Sequence, residues 1–130
     1  MSIDTVGDFL TIIRNGVLAS KPFVYVPFSN FKHKIALLLK DEGFVRDVVT
    51  EGEEISSRCM KIVLKYVDGE SVIHEIDRVS TPSRRVYGGS SIKPVIGGLG
   101  LSVLTTNKGI MTDKKAKSLK VGGEVICTIW

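Results

Sequence analysis

This sequence of 130 residues predicts an α+β fold in two packed lobes. The N-terminal lobe reads α-β-α-β-β, and the C-terminal lobe reads as mostly antiparallel β with one short helix. Three observations predict it. Helical apolar periodicity occurs twice early in the chain. Short apolar runs separated by turn residues fill the later part. Glycine usage also shifts, with eight of the 13 glycines after residue 70, mostly in pairs at 88–89, 97–98 and 122–123. The boundary is expected at the turn near 68–72, giving lobes 1–70 and 71–130.

The first helix is predicted over residues 3–17, where Ile3, Val6, Phe9, Leu10, Ile13 and Val17 share a face. Gly16 is expected near its stop, with Pro22 just beyond. Phe23–Phe28 reads as a short strand. Ser29 is an N-cap for a second helix with the stripe Phe31, Ile35, Leu38 and Leu39. Lys32, His33, Lys34 and Lys40 fall mostly outside that stripe, and His33 is expected to be solvated or to touch phosphate. Gly43 suits the residue after the helix. Strands are expected at Phe44–Thr50 and Cys59–Val67, joined by an acidic loop, with a turn at Asp68-Gly69. Further strand-like runs are Ser71–Arg78, Leu101–Leu104 and Glu124–Trp130. A short helix is expected at Thr112–Leu119, capped by Thr112 or Asp113.

At 43% hydrophobic and 25% charged, the composition is that of an ordinary globular protein. A chain of this length buries enough surface to need no disulfide or metal staple. No apolar run reaches the ~18–20 residues of a membrane span, and the N-terminus has no basic segment of the signal-peptide kind. A soluble, intracellular protein is expected. Cys59 and Cys127 form no C-x-x-C pair and read as buried, reduced core residues.

Charge is uneven along the chain. Residues 1–70 hold 9 Lys and Arg against 10 Asp and Glu, a balance of −1; residues 71–130 hold 9 against 4, a balance of +5. Between 78 and 120 the count is 9 basic residues to one acid, Asp113. A local basic excess is what a surface facing a polyanion requires.

Enzyme templates fail on spacing. Gly98-Leu99-Gly100 lacks the third glycine of a dinucleotide fingerprint, no phosphate loop of the G-x-x-x-x-G-K type exists, and Ser90 and Ser91 do not sit in G-x-S-x-G. His33 and His74 cannot build a multi-histidine metal site. No cofactor, metal or catalytic group is expected.

Three stretches suit nucleic acid. In Ser83–Gly89, Arg84 and Arg85 can pair with phosphates while Tyr87 presents a ring to a splayed base; the same residues equally suit a tyrosine packed on the sheet between solvated arginines. In Thr105-Thr106-Asn107-Lys108-Gly109, hydroxyls and an amide on a tight turn can reach base edges and 2′-hydroxyls, or simply close a hairpin. Lys114, Lys115, Lys117 and Lys120 form a solvated basic face able to add non-specific attraction.

Taken in order, these motifs resemble the family of bacterial small-subunit ribosomal protein eight. The resemblance rests on Thr105-Thr106-Asn107-Lys108-Gly109-Ile110-Met111-Thr112-Asp113 followed by Gly122-Gly123-Glu124-Val125-Ile126-Cys127. It extends through Asp8-Phe9-Leu10-Thr11, Ile13-Arg14-Asn15-Gly16, Lys40-Asp41-Glu42-Gly43-Phe44, Arg78-Val79-Ser80-Thr81-Pro82 and Val95-Ile96-Gly97-Gly98-Leu99-Gly100. It implies a primary binder of the 16S rRNA central domain that helps assemble the subunit platform. The family's RNA-contacting turn falls on Thr105, Thr106 and Asn107, with Lys108 and Gly109 completing it, and Tyr87 matches a nearby aromatic position. Glu124 matches a glutamate where a carboxylate can hold backbone amides in place. Arg14, Asn15 and Lys32 match N-lobe positions near the RNA backbone. Contacts with small-subunit proteins five and twelve, a regulatory mRNA site, no membrane association and a monomer outside the ribosome are further implications. Two departures stand out in the turn, Thr105 and Asn107 in place of serines; Ile12 and Thr5 replace a common arginine and proline of the first helix. A small enzyme using the glycine-rich lobe as a phosphate cradle, or a DNA-binding module, are the rival readings. The first lacks clustered titratable residues, and the second lacks a helix-turn-helix or zinc pattern.

Overall fold

A computed structural model describes residues 5–54, 57–88 and 100–130. Several expectations fall outside these: the Ile3 and Asp4 positions of the first helix, Gly89, Ser90 and Ser91, the Gly97-Gly98 pair, and the Val95–Leu99 part of the resemblance. The chain forms two compact units. One is Asp8–Ile73; the other holds His74–Trp130 together with Thr5–Gly7.

In the unit Asp8–Ile73, the part of α1 (Thr5–Leu18) from Asp8 onward buries Phe9, Leu10 and Ile13 completely. Gly16 does not stop this helix. It lies inside it, and an added Cβ would come within 2.5 Å of Val24 Cγ1, so this glycine lets helix and strand approach. The helix ends two residues further on, at Leu18, and Ser20 follows with a left-handed φ of 53°. There the Lys21 amide donates to the Gly16 carbonyl and the Ser20 amide to the Val17 carbonyl. Next, β1 (Phe23–Pro27) alternates exposed and buried residues, with Val24 and Val26 inward. Ser29 caps α2 (Asn30–Asp41) by accepting from the Lys32 amide at 3.1 Å. Gly43, at φ 84°, closes it as expected. Ile35, Ala36 and Leu39 form the buried stripe of α2.

Antiparallel pairing of β2 (Val45–Glu51) and β3 (Cys59–Leu64) with β1 gives a three-stranded sheet in the order β1-β3-β2. Met60, Ile62 and Leu64 point to the core. The expected strand Cys59–Val67 is broken at Lys65: β4 (Tyr66–Val67) pairs with β5 (Glu70–Ser71) in a separate hairpin. Its corners, Asp68 and Gly69, both have positive φ, 53° and 79°, as a twist-matched two-residue turn requires.

The second unit is built on a sheet in the order β6-β10-β8-β9, with β7 also on β10. Its strands are β6 (Ile76–Arg78), β7 (Tyr87–Gly88), β8 (Leu101–Thr106), β9 (Gly109–Thr112) and β10 (Gly123–Ile129). Thr112 caps α3 (Asp113–Leu119), accepting from the Lys115 amide at 3.2 Å. The Ser102 amide donates to buried Asp113 at 3.3 Å. Leu104, Met111, Ala116 and Val125 form a core cluster, with Val79 and Val121 packed against it. Cys127 is fully buried, and burial pushes its thiol pKa up to about 12, which keeps it protonated and unreactive. Cys59, expected to be buried, is only half-buried, because its strand position faces away from the core. Among the described residues no helix is long and apolar enough to cross a membrane.

Candidate nucleic-acid interface

The pairing of β7 and β8 with β10 collects the basic-lobe candidates at one end of the second unit's sheet. Tyr87 lies opposite Glu124, Glu124 opposite Thr105, and Thr105 opposite Ile110. The row below, Val125–Leu104–Met111, belongs to the core cluster. Alternation therefore puts Tyr87, Glu124 and Thr105 on the face away from that cluster. Tyr87 is 70% exposed. Of the two readings open to it, packing on the sheet is not the one adopted.

The outermost row is Gly88–Gly123–Thr106–Gly109. Three of its four positions carry no side chain, so backbone is laid bare beside Tyr87. Gly123 is fixed for a second reason: an added Cβ would lie 2.1 Å from the Thr105 carbonyl oxygen. Past this row the chain turns through Asn107 and Lys108, both exposed. Gly109 takes the positive φ, 112°, that the turn needs. The Thr106 hydroxyl donates to the Gly109 carbonyl at 2.9 Å and accepts from the Lys108 amide at 3.1 Å. Thr106 is therefore committed to holding the turn, leaving Asn107 and Lys108 as its outward polar groups.

Glu124 anchors the segment that carries Tyr87. Its carboxylate accepts from the Ser80 hydroxyl at 2.6 Å and from the Arg85 guanidinium at 2.9 Å. Ser80, itself buried, accepts in turn from the Val86 amide at 3.1 Å. The carboxylate thus holds the Val86 amide in place through the Ser80 hydroxyl, which stands between the two. Thr81 and Arg84 exchange two backbone hydrogen bonds, closing the turn at Pro82-Ser83. Arg84 stays exposed, while Arg85 has half of its side chain in solvent and spends its charge on Glu124. Arg78 stands behind this group, its pKa lowered by burial and then by the charge of Arg85. Ser80 and Gly123 were missed as site residues. The partner of Ser80 is 44 positions away, and no local pattern announces it.

The Ser80 hydrogen bond, helped by Arg85, holds the Glu124 carboxyl below the usual glutamate range despite its burial. A depressed carboxylate stabilises the fold above its unfolded value, about 4.3, and this contribution is lost as pH falls through the folded value. Glu124→Gln should therefore be less stable than wild type at pH 7, with the gap narrowing below about pH 4. Urea melts across this range check it; a gap independent of pH would show that the carboxylate charge contributes nothing.

The exposed lysines Lys114, Lys115 and Lys117 line α3, and Lys120, at φ 57°, is its left-handed cap. The other candidates, Arg14, Asn15 and Lys32, belong to the first unit. Asn15 is exposed and Arg14 half-buried. Lys32, expected on the polar face of α2, is only 6% exposed. Its pKa is lowered by desolvation, against which the charge of Asp8 acts. The helical wheel misplaced it because its stem lies along the core-facing side. His33 is half-buried, its ring 5.3 Å from that of Phe28. Among the described residues no group of three or more His, Cys, Asp or Glu could hold a metal ion.

Comparison with known proteins adds a separate line of evidence. The sequence model of the family described as Ribosomal protein S8 matches residues 4–130. The chain is 47% identical to the small ribosomal subunit protein uS8 of Nitratidesulfovibrio vulgaris, with 100% of both chains covered. It is 46% identical to the protein of that name in Chromobacterium violaceum, over 97% of this chain and 96% of the relative. Against that of Baumannia cicadellinicola it is 43% identical over the same shares.

Proposed function

The chain belongs to the ribosomal protein S8 family, a structural and non-enzymatic constituent of the small ribosomal subunit, and from that premise we propose that it binds the central domain of 16S rRNA directly and helps assemble the subunit platform. One observation carries this reading: a tyrosine 70% exposed, held beside a polar hairpin turn by the Glu124–Ser80–Arg85 group. Base-specific contact with RNA uses unstacked bases, which an exposed ring, an amide and bare backbone can receive. In this proposal residues 71–130 are the principal RNA-binding lobe and residues 1–70 an accessory one.

Tyr87 stacks on a base, Thr105 and Asn107 reach base edges or 2′-hydroxyls, and Arg84 and Lys108 neutralise phosphates. Thr106, Gly109, Glu124 and Arg85 act by holding this surface in shape. Arg14 and Asn15 meet the RNA backbone from the first unit; Lys32, only 6% exposed, contributes least. Small-subunit proteins five and twelve are the proposed protein neighbours, a structured mRNA site resembling the rRNA is a secondary ligand, and the protein is cytoplasmic and monomeric outside the ribosome.

Titration of the purified protein into a transcribed central-domain fragment, at several salt concentrations and against excess tRNA, tests the reading. Binding that survives the competitor is expected; loss to tRNA would reduce the surface to a general polyanion attractor. In the same assay Lys114→Ala with Lys115→Ala should weaken specific and unrelated RNA alike and lower the salt slope by about 1 to 2. Asn107→Ala should weaken the specific fragment more than an unrelated duplex.

A further inference from the structure

The three-stranded sheet of the unit Asp8–Ile73 has a second face, turned away from its buried residues. Strand register places three rows on it: Phe23–Val63–Asp47, Tyr25–Lys61–Val49 and Pro27–Cys59–Glu51. Phe23, Tyr25 and Val49 are 36%, 49% and 40% exposed. The two aromatic residues lie on β1 and Val49 on β2, and apolar exposure gathered on one sheet face calls for an occupant. The two rings stand edge to face with centroids 5.4 Å apart, and the Lys61 ammonium sits 4.3 Å from the Phe23 centroid.

Tyr25 separates two shallow clefts. One, of about 490 Å³, has Asn15, Lys21 and Phe23 in its wall. The other, of about 330 Å³, has Pro27, Ser57 and Arg58. Lys21 and Arg58 thus each line a cleft beside Tyr25, the Arg58 guanidinium 5.5 Å from the Phe28 ring centroid, and Lys61 pairs with Tyr25 in register while its ammonium sits over Phe23. Acidic residues of this face lie toward β2, and one of them, Asp47, is paired with Lys40 at 3.1 Å. The β1 side therefore suits a polyanion that carries flat aromatic groups.

We propose that this face is a second RNA site, at which an unpaired nucleotide stacks its base on Tyr25, beside Phe23, while its flanking phosphates meet Lys21 and Arg58. Stacking on a ring needs an unpaired base, since a base within a duplex has both faces occupied by its neighbours. The site accepts any base, because every base has a π-face; its selectivity is for unpaired over paired RNA. It rests on the rRNA-binding reading above and extends it from Asn15, which lines the first cleft, to the β1 face with its own aromatic residue.

The test measures affinity for the transcribed central-domain rRNA fragment with wild type, Tyr25→Thr, Tyr25→Phe and Tyr87→Ala. Threonine keeps strand propensity and removes the ring; phenylalanine keeps the ring. Tyr25→Thr should bind about tenfold more weakly, Tyr25→Phe within about twofold of wild type, and Tyr87→Ala should lose affinity independently. Lys21→Gln, a surface change that leaves the sheet intact, should lower the salt slope by about 1. If Tyr25→Thr and Lys21→Gln bind as wild type while Tyr87→Ala is weakened, this site fails and the rRNA-binding reading stands. If all variants match wild type, both fail. Undiminished rRNA affinity of Tyr25→Thr, combined with its poorer incorporation into reconstituted small-subunit particles, would overturn the proposal in favour of a protein occupant.

Discussion

Gly123→Ala should destabilise the β-rich unit by about 3 kcal/mol, at the upper end of what overpacking usually costs. The added methyl would stand 2.1 Å from the Thr105 carbonyl oxygen and 2.8 Å from its carbon. Those atoms are backbone, and the facing strand cannot rotate them aside as a side chain would. β8 and β10 must part at this end, at the pairs Gly123–Thr106 and Glu124–Thr105. For a chain of this length the thermal midpoint should fall by about 10 °C. Denaturant melts of the two proteins decide the matter; a difference below about 0.5 kcal/mol would mean that the strands yield without strain. RNA affinity should fall as well, because Glu124 and Thr105 lie at the disturbed position.

Tyr87→Ala should leave stability nearly unchanged and weaken the rRNA fragment by about 1–3 kcal/mol, the range for one base–aromatic stack. The separation of the two effects follows from exposure: a ring 70% in solvent contributes little to the core but offers both its area and its face to a ligand. Tyr87→Phe should recover most of the affinity. An unrelated duplex should bind the alanine variant as well as it binds wild type, since duplex bases present no free face. Equal losses on both ligands would remove base reading from Tyr87.

What was legible in the sequence follows from how local each signal is. Ser29 and Thr112 are helix caps, Gly43 ends a helix and Asp68-Gly69 turns a hairpin, as read from a few adjacent residues. Each of these depends on backbone conformation within three or four positions. Gly16 lies near the end of its helix as its position suggests, but the close approach to Val24 that requires a glycine there lies across the fold and has no local signal. Lys32 was misread because an apolar stem and a charged head give opposite signals on a helical wheel. The turn residues Asn107 and Lys108 and the aromatic Tyr87 could be nominated from residue type. The row that sets Tyr87 and Thr105 either side of Glu124 could not, since it is fixed by the register of β7 and β8 on β10. The partner of Ser80 and the exposed face of β1 have no local signal; only strand pairing, hydrogen bonding and burial reveal them.

The anchoring of Tyr87 has a kinetic consequence. Its backbone is paired to Glu124, and the residues just before it are tied down through Ser80 and Arg85. The segment is therefore ordered before any ligand arrives, and association forfeits little conformational entropy there. Encounter is governed by charge spread over the lysines and arginines, which a single anchor hardly alters. Loosening the anchor, as Ser80→Ala would, then acts chiefly on how long the complex survives once formed. Residence time is the quantity in which this small group of side chains makes itself felt.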